Sequence, residues 1–513
     1  MSTTVSTPPA PAPSPVEPAP EYARPGRLTR PWVLLGLCAA LILTMAFVYP
    51  AGAAVLGIML VGGVILSRSH HDVVTLFEFF LLLAFLIPSP LVFTSLGGAA
   101  TPALLLGIAA LFLWINGRIT GSSGLATGFQ PMRWAVGIWG WTILASCAAA
   151  FARPLPKIES QAPYRGTATM LGCVGITLLA TDGIRSRDRL EKLLQWTVWS
   201  SCFVAVVGLI QFTTGYDLAS KIHVPGLGSL IATGFIQQRA GFNRVAGTAG
   251  HPIEFAVVMC AVLPLALHYA FFPTTKRKWV PWIPVGLILA AIPTSLSRTS
   301  VIGLAIVALF LVPTWHWRRQ LGAILGVGAL VGLMQIVYPG ILSAMVGLFT
   351  QANSDVSITT RKSDYSNGFD LIRKSPFYGR GFKTFIPDVN FFIDNQYLMS
   401  AIETGIIGAL ALIALFVIGV SLARGARHRS HDFRTQELGQ AIAASLATIM
   451  VCFATFDALS FPMITGLTFL LLGVAGALWR MVREEESPAA NRAPARSSLH
   501  PNGSASKAVP SDA

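Results

Sequence analysis

The chain has 513 residues, 53% hydrophobic and only 12% charged, and its 37 Lys and Arg against 23 Asp and Glu give a net charge of +14. At a mean hydropathy of +0.62, so little polar surface excludes a soluble globule of this length, and long unbroken apolar runs exclude a transmembrane barrel, whose strands alternate. The basic residues are scattered over many short segments, which suits anionic headgroups and excludes the single basic face of a nucleic-acid binder.

The expected fold is all-α, a polytopic membrane protein of about 14 transmembrane helices (12–14), since each crossing of the hydrocarbon core takes about 20 apolar residues. Residues 1–29, rich in Pro, Ala, Ser and Thr, are expected to be a disordered cytoplasmic tail, not a cleavable signal, because the first apolar run starts near Trp32 and is long enough to span. Spans are expected at 31–49, 51–67, 73–90, 98–116, 132–151, 166–182, 193–213, 251–272, 279–296, 299–315, 320–339, 395–421, 438–457 and 461–480. A hairpin at Pro50 and a break at Pro293 are the places where the count is open. The transmembrane domain is bounded at 30–483. Residues 484–513, opening on Glu484, Glu485 and Glu486, form a second disordered cytoplasmic tail. All six cysteines fall within apolar spans, at spacings that make neither a disulfide framework nor a metal site.

Cytoplasmic loops retain Lys and Arg, and the basic clusters at Arg185–Lys192, Lys276–Lys278 and Arg424–Arg434 orient the chain with both termini cytoplasmic. Two larger extracytoplasmic loops result, 214–250 and 340–394. The first carries Arg239, Arg244 and the run RVAGTAGHPIEF, in which His251 and Glu254 lie one turn apart at the start of a span. His251 is either a titratable base on the outer side or a helix-start histidine packed against Glu254. In the second loop Tyr365, Phe369 and Ile372 recur at i, i+4 and i+7, with Arg361 one turn earlier, which predicts an amphipathic helix on the membrane surface ended by Pro376 and the Gly379–Gly381 turn. Arg361 on that seam either snorkels or points into a cavity holding an anion.

The loop then becomes a membrane helix at DNQYLMSAIETGIIGAL. Asp394 is there either as N-cap or as proton acceptor. Glu403 lies about 12 Å below the helix start, where an ionisable group either serves function or bonds a neighbouring helix. Gly405 and Gly408 are expected to permit close packing. Arg298, in SLSRTSVIGL, begins another span. Arg239, Arg244, Arg298 and Arg361 thus give four guanidiniums near helix starts, a pattern that fits phosphate or diphosphate, which guanidinium forks hold bidentately. A transporter with intramembrane Glu78 and Glu403 is the rival reading, although no internal repeat supports it. A non-catalytic partner of a polysaccharide assembly complex is the third.

The motifs RVAGTAGHP at 244–252, SLSR at 295–298, Arg361 followed by SPFYGRGF at 375–382, and DNQYLMSAIETGIIG at 394–408 together resemble the O-antigen ligase and O-antigen polymerase superfamily of bacterial polytopic membrane glycosyltransferases. The resemblance covers approximately residues 200–475. It implies a polyprenyl-diphosphate-linked saccharide donor, a glycan or glycolipid acceptor, inversion at the anomeric carbon, and neither cofactor nor metal. It also implies the bacterial cytoplasmic (inner) membrane as location, with other polysaccharide assembly proteins as candidate partners. Arg244, Arg298 and Arg361, joined by Arg239, would hold the diphosphate; Asp394, His251 or Glu403 would take the acceptor's proton; Glu254, Asn395 and Tyr397 would support them. Ligases of the superfamily place a histidine where this chain has Asp394, which tilts the resemblance toward polymerases or other members. The chemistry agrees with the inventory, because a diphosphate leaves readily and needs charge stabilisation, positioning and at most one base.

Overall fold

A computed structural model describes residues 73–93, 100–121, 124–224, 227–229, 236–350, 356–387 and 389–486. The described chain is helical almost throughout: α1 (Val73–Leu86), α2 (Pro102–Thr120), α3 (Pro131–Phe151), α4 (Ala162–Gly183), α5 (Arg187–Thr214), α6 (Pro252–Phe271), α7 (Trp282–Thr294), α8 (Arg298–Leu311), α9 (Trp317–Val337), α10 (Ile341–Thr350), α11 (Val356–Lys374), α12 (Gln396–Arg429), α13 (Phe433–Cys452) and α14 (Pro462–Glu486). Four short strands make two ribbons, β1 (Leu91–Val92) with β2 (Gly228–Ser229), and β3 (Gln237–Arg239) with β4 (Phe242–Arg244).

Every span expected from residue 73 onward contains a helix, but only eight of these helices are long and apolar enough to cross a membrane: α2, α3, α5, α6, α9, α12, α13 extended to Thr455, and α14. Three more, α1, α7 and α8, are apolar but shorter. The reasons are local. Pro293 stands inside the end of α7 and lacks the N–H that would continue it. Within α4, polar residues dilute the apolar run, and buried Asp182 near its end is held by Arg118, by Trp114 Nε1 at 2.8 Å and by Arg133 at 2.8 Å. Helix α14 continues to Glu486, three residues into the segment expected to be tail, with Arg480 paired to Glu484 one turn on. The spans expected at 31–49 and 51–67, the N-terminal tail and residues 487–513 lie outside the described residues.

Side-chain caps set several helix starts. Thr101 caps α2, Ser186 caps α5, Ser297 caps α8 and Asp432 caps α13, each accepting a bond from a first-turn N–H that would otherwise be unpaired. The core is one large apolar cluster in which α6, α13 and α14 are the most enclosed, α6 packing on α13, α8 and α7, and α14 on α4 and α12. Helix α9 stands at the periphery with no buried residue. Glu78 on α1, one of the intramembrane carboxylates of the transporter reading, is paired with Lys192 at 2.7 Å.

Candidate active site

The site forms at the end of the bundle where α6, α8, α12 and α14 begin. Its first part is the β3–β4 hairpin, whose strands pair Gln237 with Arg244 and Arg239 with Phe242. The two turn residues, Ala240 and Gly241, have φ of 52° and 81°, the left-handed geometry that matches a two-residue turn to strand twist. Side chains alternate along a strand, so Gln237, Arg239, Phe242 and Arg244 share one face and both arginines point the same way. They reach the turn between α7 and α8: Arg244 Nε donates to the Ser295 carbonyl at 3.2 Å and Arg239 to the Leu296 carbonyl at 3.4 Å. Arg244 also donates to Gln237 Oε1 at 2.9 Å. Arg298 opens α8 at the far side of the same turn. Three of the four expected arginines are thereby gathered around residues 294–298. The fourth, Arg361, falls on α11, whose described side chains begin at Tyr365.

Between β4 and α6 the AGTAGHP run is tied down on both sides. Gln211 on α5 accepts from Gly247 N at 2.8 Å and donates to the Gly247 carbonyl at 3.0 Å, while Thr248 Oγ1 donates to the Phe85 carbonyl at 2.6 Å. The run ends at His251, which is the N-cap of α6: its Nδ1 accepts from Ile253 N at 3.2 Å. That bond assigns the neutral tautomer with its proton on Nε2. Burial, reinforced by Arg244 and opposed by Asp394, pushes the His251 imidazolium down to about 4. At neutral pH His251 therefore offers an N–H donor at Nε2 and has no lone pair left to act as base.

Glu254 does not pair with His251. Fully buried, it accepts from Gly250 N at 2.7 Å, Met463 N at 2.9 Å, Ile464 N at 3.1 Å and Ser89 Oγ at 3.3 Å, so it ties the loop before α6 to the first turn of α14. Its part in the site is to hold the frame.

At α12 the cap is Asn395, whose Oδ1 accepts from Tyr397 N at 3.0 Å and Leu398 N at 3.2 Å. Capping is thus assigned to Asn395, and Asp394 stands one residue outside the helix, within electrostatic reach of Arg244, His251 and Asp457. Tyr397 anchors the helix start by donating to the Met450 carbonyl of α13 at 2.5 Å. Arg244 is brought down to about 10 by burial and by the like charge of Arg239, with Asp394 opposing, and remains a cation at neutral pH.

Glu403 sits at a break in α12. Gly405 has φ 73° and ψ 177°, and the SPFYGRG loop runs into the gap. Arg380 N donates to the Ile402 carbonyl at 3.0 Å, Gly381 N to the Glu403 carbonyl at 2.9 Å, and Ile406 N to the Pro376 carbonyl at 2.8 Å. The freed backbone groups are satisfied by protein, which is how a broken helix survives in a bilayer. A Cβ on Gly405 would lie 2.1 Å from the Phe377 carbonyl oxygen, so this glycine marks a close backbone approach beyond helix packing. The Glu403 side chain accepts from Phe385 N at 3.3 Å. The same loop is fixed at its other side by Glu159, which pairs with Arg380 at 2.8 Å and Arg153 at 3.0 Å.

Two residues of the site escaped the sequence reading. Lys383, in the left-handed region at φ 65°, donates to the Leu459 carbonyl at 2.8 Å and Ser460 Oγ at 3.3 Å, with Glu403 and Asp457 nearby. Burial lowers its ammonium and the two carboxylates oppose this. Asp457 bridges electrostatically between Lys383 and Asp394, and burial pushes its carboxyl up to about 6. A lone carboxylate in the apolar stretch CFATFDALSF was the available signal. On α11 the expected stripe is displaced: Tyr365, Leu371 and Ile372 pack on Leu398, Met399 and Ile402 of α12 and their neighbours, whereas Phe369 is exposed.

Cavities adjoin this end of the bundle. One of about 500 Å³ is lined by Arg244, His251, Gln211, Gln237, Asp217 and His223. An apolar groove of about 810 Å³ runs between α7, α8, α9 and α10, from Pro293 and Ser300 beside the arginine cluster to Arg318 and Arg319 at the other end. A third, of about 380 Å³, lies between α1, α2, α4 and α14.

A comparison with curated proteins gave no match. Residues 283–413 match the family described as O-antigen ligase. The matched segment holds Arg298, Arg361, Lys383, Asp394 and Glu403, while Arg239, Arg244 and His251 lie before it. Residues 283–413 of the chain are thus similar to the O-antigen ligase family, in agreement with the resemblance carried by the motifs at 295–298, 361, 375–382 and 394–408.

Proposed function

We propose that the chain transfers or polymerises sugar from a polyprenyl-diphosphate-linked donor onto an acceptor hydroxyl at the extracytoplasmic face of the bacterial inner membrane. The observation that carries this reading is the gathering of Arg239, Arg244 and Arg298 around the α7–α8 turn, with Arg244 in electrostatic reach of Asp394 and His251, next in sequence to Pro293 and Ser300 of an apolar groove. Guanidinium forks on the hairpin suit a diphosphate, and the groove along α8 suits its polyprenyl chain. The excess of Lys and Arg in loops at the opposite end supports the orientation.

In this reading the acceptor oxygen attacks the anomeric carbon as the bond from that carbon to the diphosphate oxygen breaks, the electron pair leaving with polyprenyl diphosphate. One displacement inverts the anomeric centre. The acceptor's proton passes to Asp394, a carboxylate within electrostatic reach of Arg244 at the start of α12, where the cap is Asn395. His251 Nε2–H donates to the donor's sugar or phosphate oxygens. The arginines stabilise charge developing on the leaving diphosphate, where preorganised donors act most strongly. The carboxylates of the transporter reading are otherwise engaged: Glu78 by Lys192, and Glu403 by the Phe385 amide.

The test is binding of a radiolabelled polyprenyl-diphosphate sugar to the purified full chain. Arg244→Lys keeps the charge but loses the fork, and is expected to weaken binding by about tenfold or more, the worth of one charge-assisted pair. Parental affinity in a correctly inserted Arg244→Lys protein would remove the clamp from the account.

A further inference from the structure

The third cavity belongs to none of the roles above. It shares Pro90 and Gly250 with the cavity lined by Arg244 and His251, and the ring of Phe461 on its wall lies tilted against His251, centroids 5.8 Å apart. It shares no lining residue with the α8 groove among the described residues. Lys383 and Arg165 face it at the site end, and α2, α4 and α14 all begin along it. From Arg165 its lining follows α4 through Thr169 and Cys173 to Ile176, about 16 Å at 1.5 Å per residue, or half the hydrocarbon thickness. That deeper part is apolar, closed by Phe80 and Gly466. A lysine ammonium has three donors, and Lys383 uses two on Leu459 and Ser460. Glu403 and Asp457 do not line the cavity, so it meets the cation and not the carboxylates. Cations above an apolar shaft open to mid-membrane depth fit an anionic amphiphile whose charge sits where its chain begins.

We propose that this cavity binds the phosphate and first chain segment of a lipid-linked acceptor, so that donor and acceptor enter from different flanks and meet across the Pro90, Gly250 and Phe461 wall. The inference rests on the glycosyl-transfer reading, which supplies the need for a second substrate. The shared wall favours an acceptor over a bulk phospholipid, because an occupant here lies beside His251 and the cavity that Arg244 lines.

The experiment places a photo-crosslinking phenylalanine analogue at Thr169 in this cavity or at Val301 in the α8 groove, in the full chain in nanodiscs, and uses a radiolabelled polyprenyl monophosphate as probe. Labelling at Thr169 is expected, falling about tenfold in Lys383→Met, returning in Lys383→Arg, and unchanged in Arg244→Lys. The Lys383→Arg arm guards against a folding defect. Labelling that is absent, indifferent to Lys383→Met, or displaced by phosphatidylglycerol as readily as by unlabelled probe would overturn the proposal, the last result making it a bulk-lipid site. Failure of the glycosyl-transfer reading is separable: labelling at Val301 and release of polyprenyl diphosphate would be missing, whatever happens at Thr169.

Discussion

Asp394→Asn and Asn395→Ala are neighbouring changes expected to fail in opposite ways. Asn395 Oδ1 accepts two first-turn amides, at 3.0 and 3.2 Å. Its truncation removes an N-cap worth about 1 kcal/mol, roughly a fivefold shift in a folding equilibrium, and touches no group assigned to chemistry. Asp394→Asn keeps the shape and an acceptor oxygen but removes the negative charge facing Arg244 and His251. Donor binding should hold or tighten, since a carboxylate no longer opposes the diphosphate. The chemical step should slow by about 10² to 10⁴, the usual worth of a positioned base. Single-turnover release of polyprenyl diphosphate reads the chemistry. A thiol-reactive fluorophore reads unfolding, because the five described cysteines are buried and free. Asn395→Ala should lower Tm with turnover near parental, and Asp394→Asn should do the reverse. Parental turnover in Asp394→Asn would refute the assignment of the base.

Gly405→Ala should destabilise the protein by more than the roughly 1–3 kcal/mol of an L-residue held at positive φ with extended ψ, because its Cβ also meets the Phe377 carbonyl at 2.1 Å; Gly286→Ala, whose Cβ would meet nothing, is the matched control for Tm. His251, depressed to about 4, binds fewer protons folded than unfolded between pH 4 and 6.5, so its contribution to stability rises with pH across that window and is lost as pH falls. His251→Asn, which keeps a capping oxygen, should flatten that part of the pH–stability curve and lower kcat/KM; an unchanged curve would contradict the buried neutral imidazole. In intact cells an impermeant thiol reagent should label Ser366→Cys and spare His428→Cys, both exposed; the opposite pattern would invert the orientation.

The sequence is readable where a signal repeats. Long apolar runs, basic loops and arginines at helix starts are additive features, and each span expected from residue 73 onward holds a helix, whereas α10 at Ile341–Thr350 falls in a segment expected to be loop. Features decided by one atom are harder. In Asp394-Asn395 two adjacent acceptors compete for one cap, and backbone geometry decides for Asn395. Gly405 in an apolar span looks like a packing glycine, because nothing local announces that a loop thirty residues upstream fills the break. His251 and Glu254 have the spacing of a pair, yet Glu254 is claimed by the amides of α14, two hundred residues away. The β3–β4 hairpin was not read from the sequence, where 214–250 stood as a long outward loop, although Ala240-Gly241 between QQR and FNR has the turn chemistry of a two-residue connection. Lys383 was hidden by the apolar motif around it, and only its contacts with Leu459 and Ser460 bring it to the site.

The most direct measurement gives the purified full chain in liposomes a polyprenyl-diphosphate oligosaccharide and a sugar acceptor, and follows both lipid and product. The account predicts release of polyprenyl diphosphate in step with a new glycosidic bond of inverted anomeric configuration, lost in Asp394→Asn and Arg244→Lys. Movement of intact lipid-linked sugar across the bilayer, with no bond broken, would contradict it.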